Sequence, residues 1–130
     1  MPSNEPTLIL REDDYQVLLS FLKDGRYANR EDARYITDLG LEIRKAKLVT
    51  KDKFPRDVVR LNSRIRVMDS GRDAMMDLIL VTPDKADIKT RKISVLAPIG
   101  TALIGLKKGA TVSWEVPGGK KEFTVMEVNN

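Results

Sequence analysis

Apolar residues recur along this chain with two periods, and each period marks a different kind of element. Tyr15, Leu18, Leu19 and Leu22 fall at i, i+3, i+4 and i+7, the stripe of an amphipathic helix, and Val17 and Phe21 widen it. Glu12, Asp13 and Asp14 open that helix, where carboxylates complement the positive end of its dipole, and Asp24-Gly25 ends it. Asn29 suits the N-cap of a second helix, with Asp32 three residues on as a capping-box-like partner. Ile36, Leu39, Ile43 and Ala46 then follow at spacings of three, four and three. Gly40 sits inside this second stripe, at a cost of about 1 kcal/mol against Ala in an exposed helix. Two antiparallel helices across a short loop satisfy both stripes: a helical hairpin. Ahead of it, Thr7 to Leu10 is a short apolar stretch, either a small strand or a staple for the first helix.

Phe54-Pro55 forbids a further helical turn, and the period then shortens to two. This divides the chain into an N-terminal part, residues 1–54, and a C-terminal part, residues 55–130. Val59, Leu61, Ser63, Ile65 and Val67 share one side of an extended run, and Arg60, Asn62, Arg64 and Arg66 share the other. Asp69-Ser70-Gly71-Arg72 makes a hairpin turn, and Met75 to Val81 returns, apolar enough in both phases for a central strand. Thr82-Pro83-Asp84 breaks it, and a polar crossover leads to the β-rich run Ile93 to Leu96, stopped by Pro98. Gly100 to Leu106 reads as a short apolar helix closed by Lys107-Lys108-Gly109. Val112, Trp114 and Val116 alternate with polar residues, Pro117-Gly118-Gly119 reverses the chain, and Phe123 to Val128 is the partner strand. Leu103, Ile104, Trp114 and Val116 are the expected core of this α+β unit.

Composition narrows the chemistry. The 130 residues include no Cys and no His. Thiol chemistry, a Ser-His pair and structural zinc are therefore excluded, and the expectation is no enzyme, no catalytic residue, no metal and no cofactor. No apolar run approaches the roughly 18 residues that cross a membrane, and the N-terminus lacks the pattern of a signal peptide, so a cytoplasmic protein is expected. The net charge of +4 is uneven. Residues 1–50 hold eight Lys/Arg and nine Asp/Glu, whereas residues 51–130 hold fifteen and ten. An acidic front and a basic back suit a protein that shows different faces to different partners.

The run APIGTALIGLKKGATVSWEVPGG resembles the C-terminal domain of the bacterial transcript-cleavage (Gre) factors. Those carry S-P-x-x-x-A-L-(L/I)-G, a K-x-G-D-type turn and a T-P-G-G hairpin. The fit is closer to their shortened relatives, the regulators of nucleoside diphosphate kinase, whose phrase is S-V-x-A-P-x-G-x-A-L-L-G. Pro55-Arg56-Asp57-Val58-Val59 and Leu61-Asn62-Ser63-Arg64-Ile65 resemble the P-x-D-V-V-x-x-N-S-R-V run of that group. The resemblance implies an FKBP-like C-terminal domain, a bent antiparallel sheet packed on a short helix, behind a short coiled-coil hairpin. It further implies a monomer that binds RNA polymerase at the rim of the secondary channel, with nucleic acid as an optional further partner and no membrane.

Three groups of residues are candidates for function. Leu96, Ala97, Pro98, Ile99 and Gly100 match the loop by which Gre factors dock on the polymerase; many cleavage factors carry Asp-Ser where Leu96-Ala97 stand here. Asp24, Glu31 and Asp32 would lie at the hairpin tip, where the family's acidic residues hold a catalytic Mg²⁺ at the polymerase active site. They also serve as ordinary helix-stop and helix-start residues, and the hairpin is several turns shorter than in cleavage factors. Arg60, Arg64 and Arg66, joined by Lys89, Arg91 and Lys92, form a basic face for an acidic protein surface or for phosphates. The expected function is a regulator of transcription elongation that competes with Gre factors without cleaving RNA. The alternatives are a true cleavage factor, a prolyl isomerase suggested by the fold alone, and a nucleic-acid-binding protein.

Overall fold

The computed structural model describes residues 8–23, 40–41, 43–71, 73–116 and 119–130, without the side chains at 98, 114–116 and 120. The expected tip residues Asp24, Glu31 and Asp32, the N-cap Asn29, the seam residues Ile36 and Leu39, and the side chains of Trp114 and Val116 lie outside that description.

β1 (Ile9–Arg11) runs directly into α1 (Glu12–Lys23), whose first turn carries three carboxylates and whose last carries Lys23. Leu18 is fully buried, and Tyr15, Leu19, Phe21 and Leu22 pack against the same core. Residues 40–41 and 43–44 are helical. A β-carbon at Gly40 would sit 3.8 Å from Leu22 Cδ1, so this segment lies alongside the end of α1. Ala46 falls outside the helix as a bend, its N–H donating to Ile43 O at 3.2 Å. The expected stripe thus ends at Ile43. The chain instead enters β2 (Lys47–Val49), which pairs in parallel with β1, Leu10 opposite Leu48. Three residues are too few to show a period, which is why β2 had no signal in the sequence.

Five strands form the main sheet in the order β5-β4-β3-β7-β6. These are β3 (Arg64–Asp69), β4 (Ala74–Val81), β5 (Lys92–Ser94), β6 (Thr111–Val116) and β7 (Gly119–Asn129). β3 starts five residues later than the alternation from Val59 predicts. Asn62 takes the left-handed conformation (φ 73°), which Asn tolerates, and its N–H donates to Leu80 O at 2.6 Å. Val59, Leu61 and Ser63 remain buried through that turn, so alternation of burial outlasts the strand. β4 is an interior strand, as expected, paired with β3 on one side and β5 on the other, although its Met75 and Met76 are exposed.

The sheet is mixed, which corrects the expectation of a wholly antiparallel one. Residues 82–91 cross over through two 3₁₀ turns, Pro83–Lys85 and Ile88–Thr90, and bring β5 in parallel to β4. A tight hairpin turn would have made that pair antiparallel, and the crossover is too long for one. A register shift between Arg66 and Val67 against β7 marks an irregularity of the kind that bends a sheet.

α2 (Pro98–Leu103) begins with proline at its first helical position, where no N–H is needed. It ends a turn earlier than expected: Ile104 leaves the helix and Gly105 takes φ 81°. A β-carbon at Gly105 would lie 3.1 Å from Leu8 Cβ, because the N-terminal segment crosses there and Ile9 N–H donates to Gly105 O at 3.2 Å. One core results. Leu10, Leu18 and Ile43 from the N-terminal segments join Ile65, Leu80, Leu103, Ile104 and Phe123 in it. Among the described residues, no helix is long and apolar enough to cross a membrane.

Candidate functional site

The loop between β5 and α2 is held by its own backbone. Val95 N–H donates to Val81 O at 2.8 Å, Leu96 N–H to Ser94 Oγ at 3.0 Å and Ala97 N–H to Ser94 O at 3.0 Å. The chain then passes so close to itself that a β-carbon at Gly100 would stand 2.1 Å from Ser94 O and 2.9 Å from Val95 Cα. Leu96 is buried in the core and Gly100 is buried against the loop. Leu96 and Gly100 therefore shape this loop from inside, and Ala97 and Ile99, both half-buried, keep surface to offer. Ala97 is the N-cap of α2 and makes no side-chain cap.

Arg60 does not join Arg64 and Arg66. The turn at Leu61-Asn62 directs it toward α1, where its Nε and Nη2 donate to the two oxygens of Asp14, each at 2.9 Å. Asp14 is only 4% exposed. The same turn is tied from below: Arg60 N–H donates to Ser63 Oγ at 2.8 Å, and Ser63 Oγ hydrogen-bonds Asn130 Oδ1. Asn130 Nδ2 donates to Arg56 O at 3.0 Å and to Val58 O at 2.9 Å. Sequence reasoning missed this lock. Asp14 looked like an ordinary helix-start acid, and nothing local marks a pairing across 46 positions.

Arg64 and Arg66 lie exposed on the outer face of β3. Arg66 Nε donates to Asp77 Oδ1 at 2.8 Å and its Nη2 to Oδ2 at 3.3 Å. That bond, helped by the positive charges of Arg66 and Arg91, holds the Asp77 carboxyl below its usual range. Arg91 is fixed by a left-handed backbone (φ 60°), with its carbonyl accepting from Ile79 N–H at 2.9 Å. Arg64, Arg66, Arg91, Thr90, Asp77 and Glu127 surround an open cavity of ≈ 300 Å³ on this face. Among the described residues, no group of three or more carboxylates, Cys or His could hold a metal ion.

Residues 54–130 match the family model described as transcription elongation factor, GreA/GreB, C-term. The chain belongs to the GreA/GreB family. Within it, the Escherichia coli (strain K12) regulator of nucleoside diphosphate kinase is 32% identical over 116 residues, 89% of this chain and 83% of that protein. Transcription elongation factor GreA of Clostridium botulinum is 34% identical over 87 residues, 67% of this chain and 54% of its own length. A solved GreA/GreB structure from Nitrosomonas europaea superposes with a TM-score of 0.76 at 30% identity, covering 97% of this chain and all of that one. The fold is thus a GreA/GreB-like α+β one.

Proposed function

We propose that this protein binds RNA polymerase at the rim of the secondary channel through the Ala97–Ile99 surface, and that it regulates elongation without cleaving RNA. On this reading residues 1–54 hold a short coiled-coil hairpin, residues 55–130 form an FKBP-like docking module, and the protein acts as a cytoplasmic monomer with no enzymatic activity of its own. Family membership supports the partner, and the exposed remainder of the 96–100 loop supports the point of contact.

The observation that carries the non-cleaving half is the β1–β2 pair. The chain leaves at Arg11 and returns at Lys47, opposite Ile9, so the two ends of the excursion lie within one three-residue strand pair. Two equal helical arms between Glu12 and Arg44, the last helical residue before β2, would extend roughly 25 Å, at 1.5 Å per residue. Asp24, Glu31 and Asp32 are then read as helix-boundary residues that stop short of the polymerase metal, and the protein blocks the channel instead of adding a carboxylate to it.

Ala97→Tyr tests the docking surface. The position is half-exposed and uncapped, so a bulky ring there leaves the core in place. The variant is expected to melt like the parent yet to lose at least tenfold in competition with a labelled GreA factor for core polymerase. Unchanged competition by a folded variant would remove the loop from the interface.

A further inference from the structure

We infer that the arginine-lined face of the main sheet binds the phosphodiester backbone of nucleic acid without reading its sequence. Strand register places the groups. Lys92, Ile79, Arg64 and Asn129 are successive partners across β5, β4, β3 and β7. Directly beside that row stand Asp77, Arg66 and Glu127. Cross-strand partners point to the same side of a sheet, so this is one continuous face, and Arg91 reaches its cavity from the crossover.

Four cations meet three carboxylates on this face, Asp77, Glu127 and Asp87 (the bridge partner of Lys92), and Asp77 is already bonded to Arg66. Among the described residues, Arg64, Arg91 and Lys92 make no ion pair, so their charge is left for a ligand. Guanidinium forks match phosphate oxygens in pairs, which favours phosphate as the anion. From Lys92 to Arg64 is two strand spacings, roughly 10 Å. An extended single strand spaces its phosphates more widely than the axial rise of a duplex, so that distance covers about two of them. The cavity is lined by no aromatic ring, so bases have nothing to stack on and the contact is to backbone alone.

This site is separate from Ala97 and Ile99, so its test does not depend on polymerase. Fluorescence anisotropy of the full chain with two labelled single-stranded RNAs of unrelated sequence should give equal affinities, falling with salt at a log–log slope of about −1.4 for two phosphates. Arg64→Glu/Arg91→Glu should weaken binding at least tenfold. Arg64→Gln/Lys92→Gln, a milder pair, should weaken it severalfold and flatten the slope, and Ala97→Tyr should change nothing. Three results overturn the inference: no binding at low salt by folded protein, unaltered affinity of folded charge variants, or displacement by poly-glutamate as effective as by unlabelled RNA. The last would assign the face to an acidic polypeptide.

Discussion

Gly100 and Gly40 occupy opposite situations, and single methyl groups distinguish them. A β-carbon at Gly100 would overlap the Ser94 carbonyl, a backbone atom that cannot swing aside, so Gly100→Ala should destabilise by about 2–3 kcal/mol in a urea titration. At Gly40 the nearest atom is the flexible tip of Leu22 at an ordinary contact distance. Gly40→Ala should therefore stabilise by up to about 1 kcal/mol and raise the melting temperature. The sequence shows both glycines but not the difference, because the collision at Gly100 involves a turn whose path only the fold fixes. Asp13 supplies a pH test. Its bond to Arg11, at 2.7 and 2.6 Å, holds its pKa at about 2, below the unfolded carboxylate value. A depressed pKa contributes stability that is present above about pH 4 and is lost as pH falls toward 2. Because Asp13 is 58% exposed, the pair is worth under about 1 kcal/mol. Asp13→Asn should differ from the parent by that little at pH 7, and the difference should vanish by about pH 2.

Between elements, the main tie that sequence could not reveal is the Asp14–Arg60 fork from α1 to the turn before β3. Removing one partner leaves the other charge part-buried and unmatched, so Asp14→Ala should cost about 2–3 kcal/mol. Arg60→Ala should cost more, because it strands Asp14, the more buried of the two side chains, and the double variant should cost less than the sum of the two singles, as a double-mutant cycle would report. The period-3.6 stripe of α1 and the period-2 burial of β3 were legible because they are local. The early end of α2 was not: Lys107-Lys108-Gly109 reads as the stop signal, and the crossing of Leu8 and Ile9 at Gly105 ends the helix sooner. The parallel entry of β5 depends likewise on a crossover whose direction no residue in it announces. Arg60 was placed on the basic face because alternation assumes an unbroken strand, and Asn62 breaks it.

Over the whole molecule, one core joins α1, the β1–β2 pair and the main sheet, so the 96–100 loop and α1 belong to the same packed unit. Family resemblance in the sequence rests on kinks and small residues, Asn62-Ser63 and the Pro98–Gly100 turn among them. These are the positions where the structure has left-handed backbone, a buried hydroxyl and a forbidden β-carbon. Docking chemistry was less legible, since Leu96 looks like its neighbours in the loop until burial separates it from Ala97 and Ile99.

A backtracked elongation complex with end-labelled RNA, followed by transcript length, asks the central question directly. The account predicts no shortening with this protein alone, even in excess, and suppressed shortening when a GreA cleavage factor is added after it. Shortening by this protein alone, abolished by Asp24→Ala or Glu31→Ala, would contradict it.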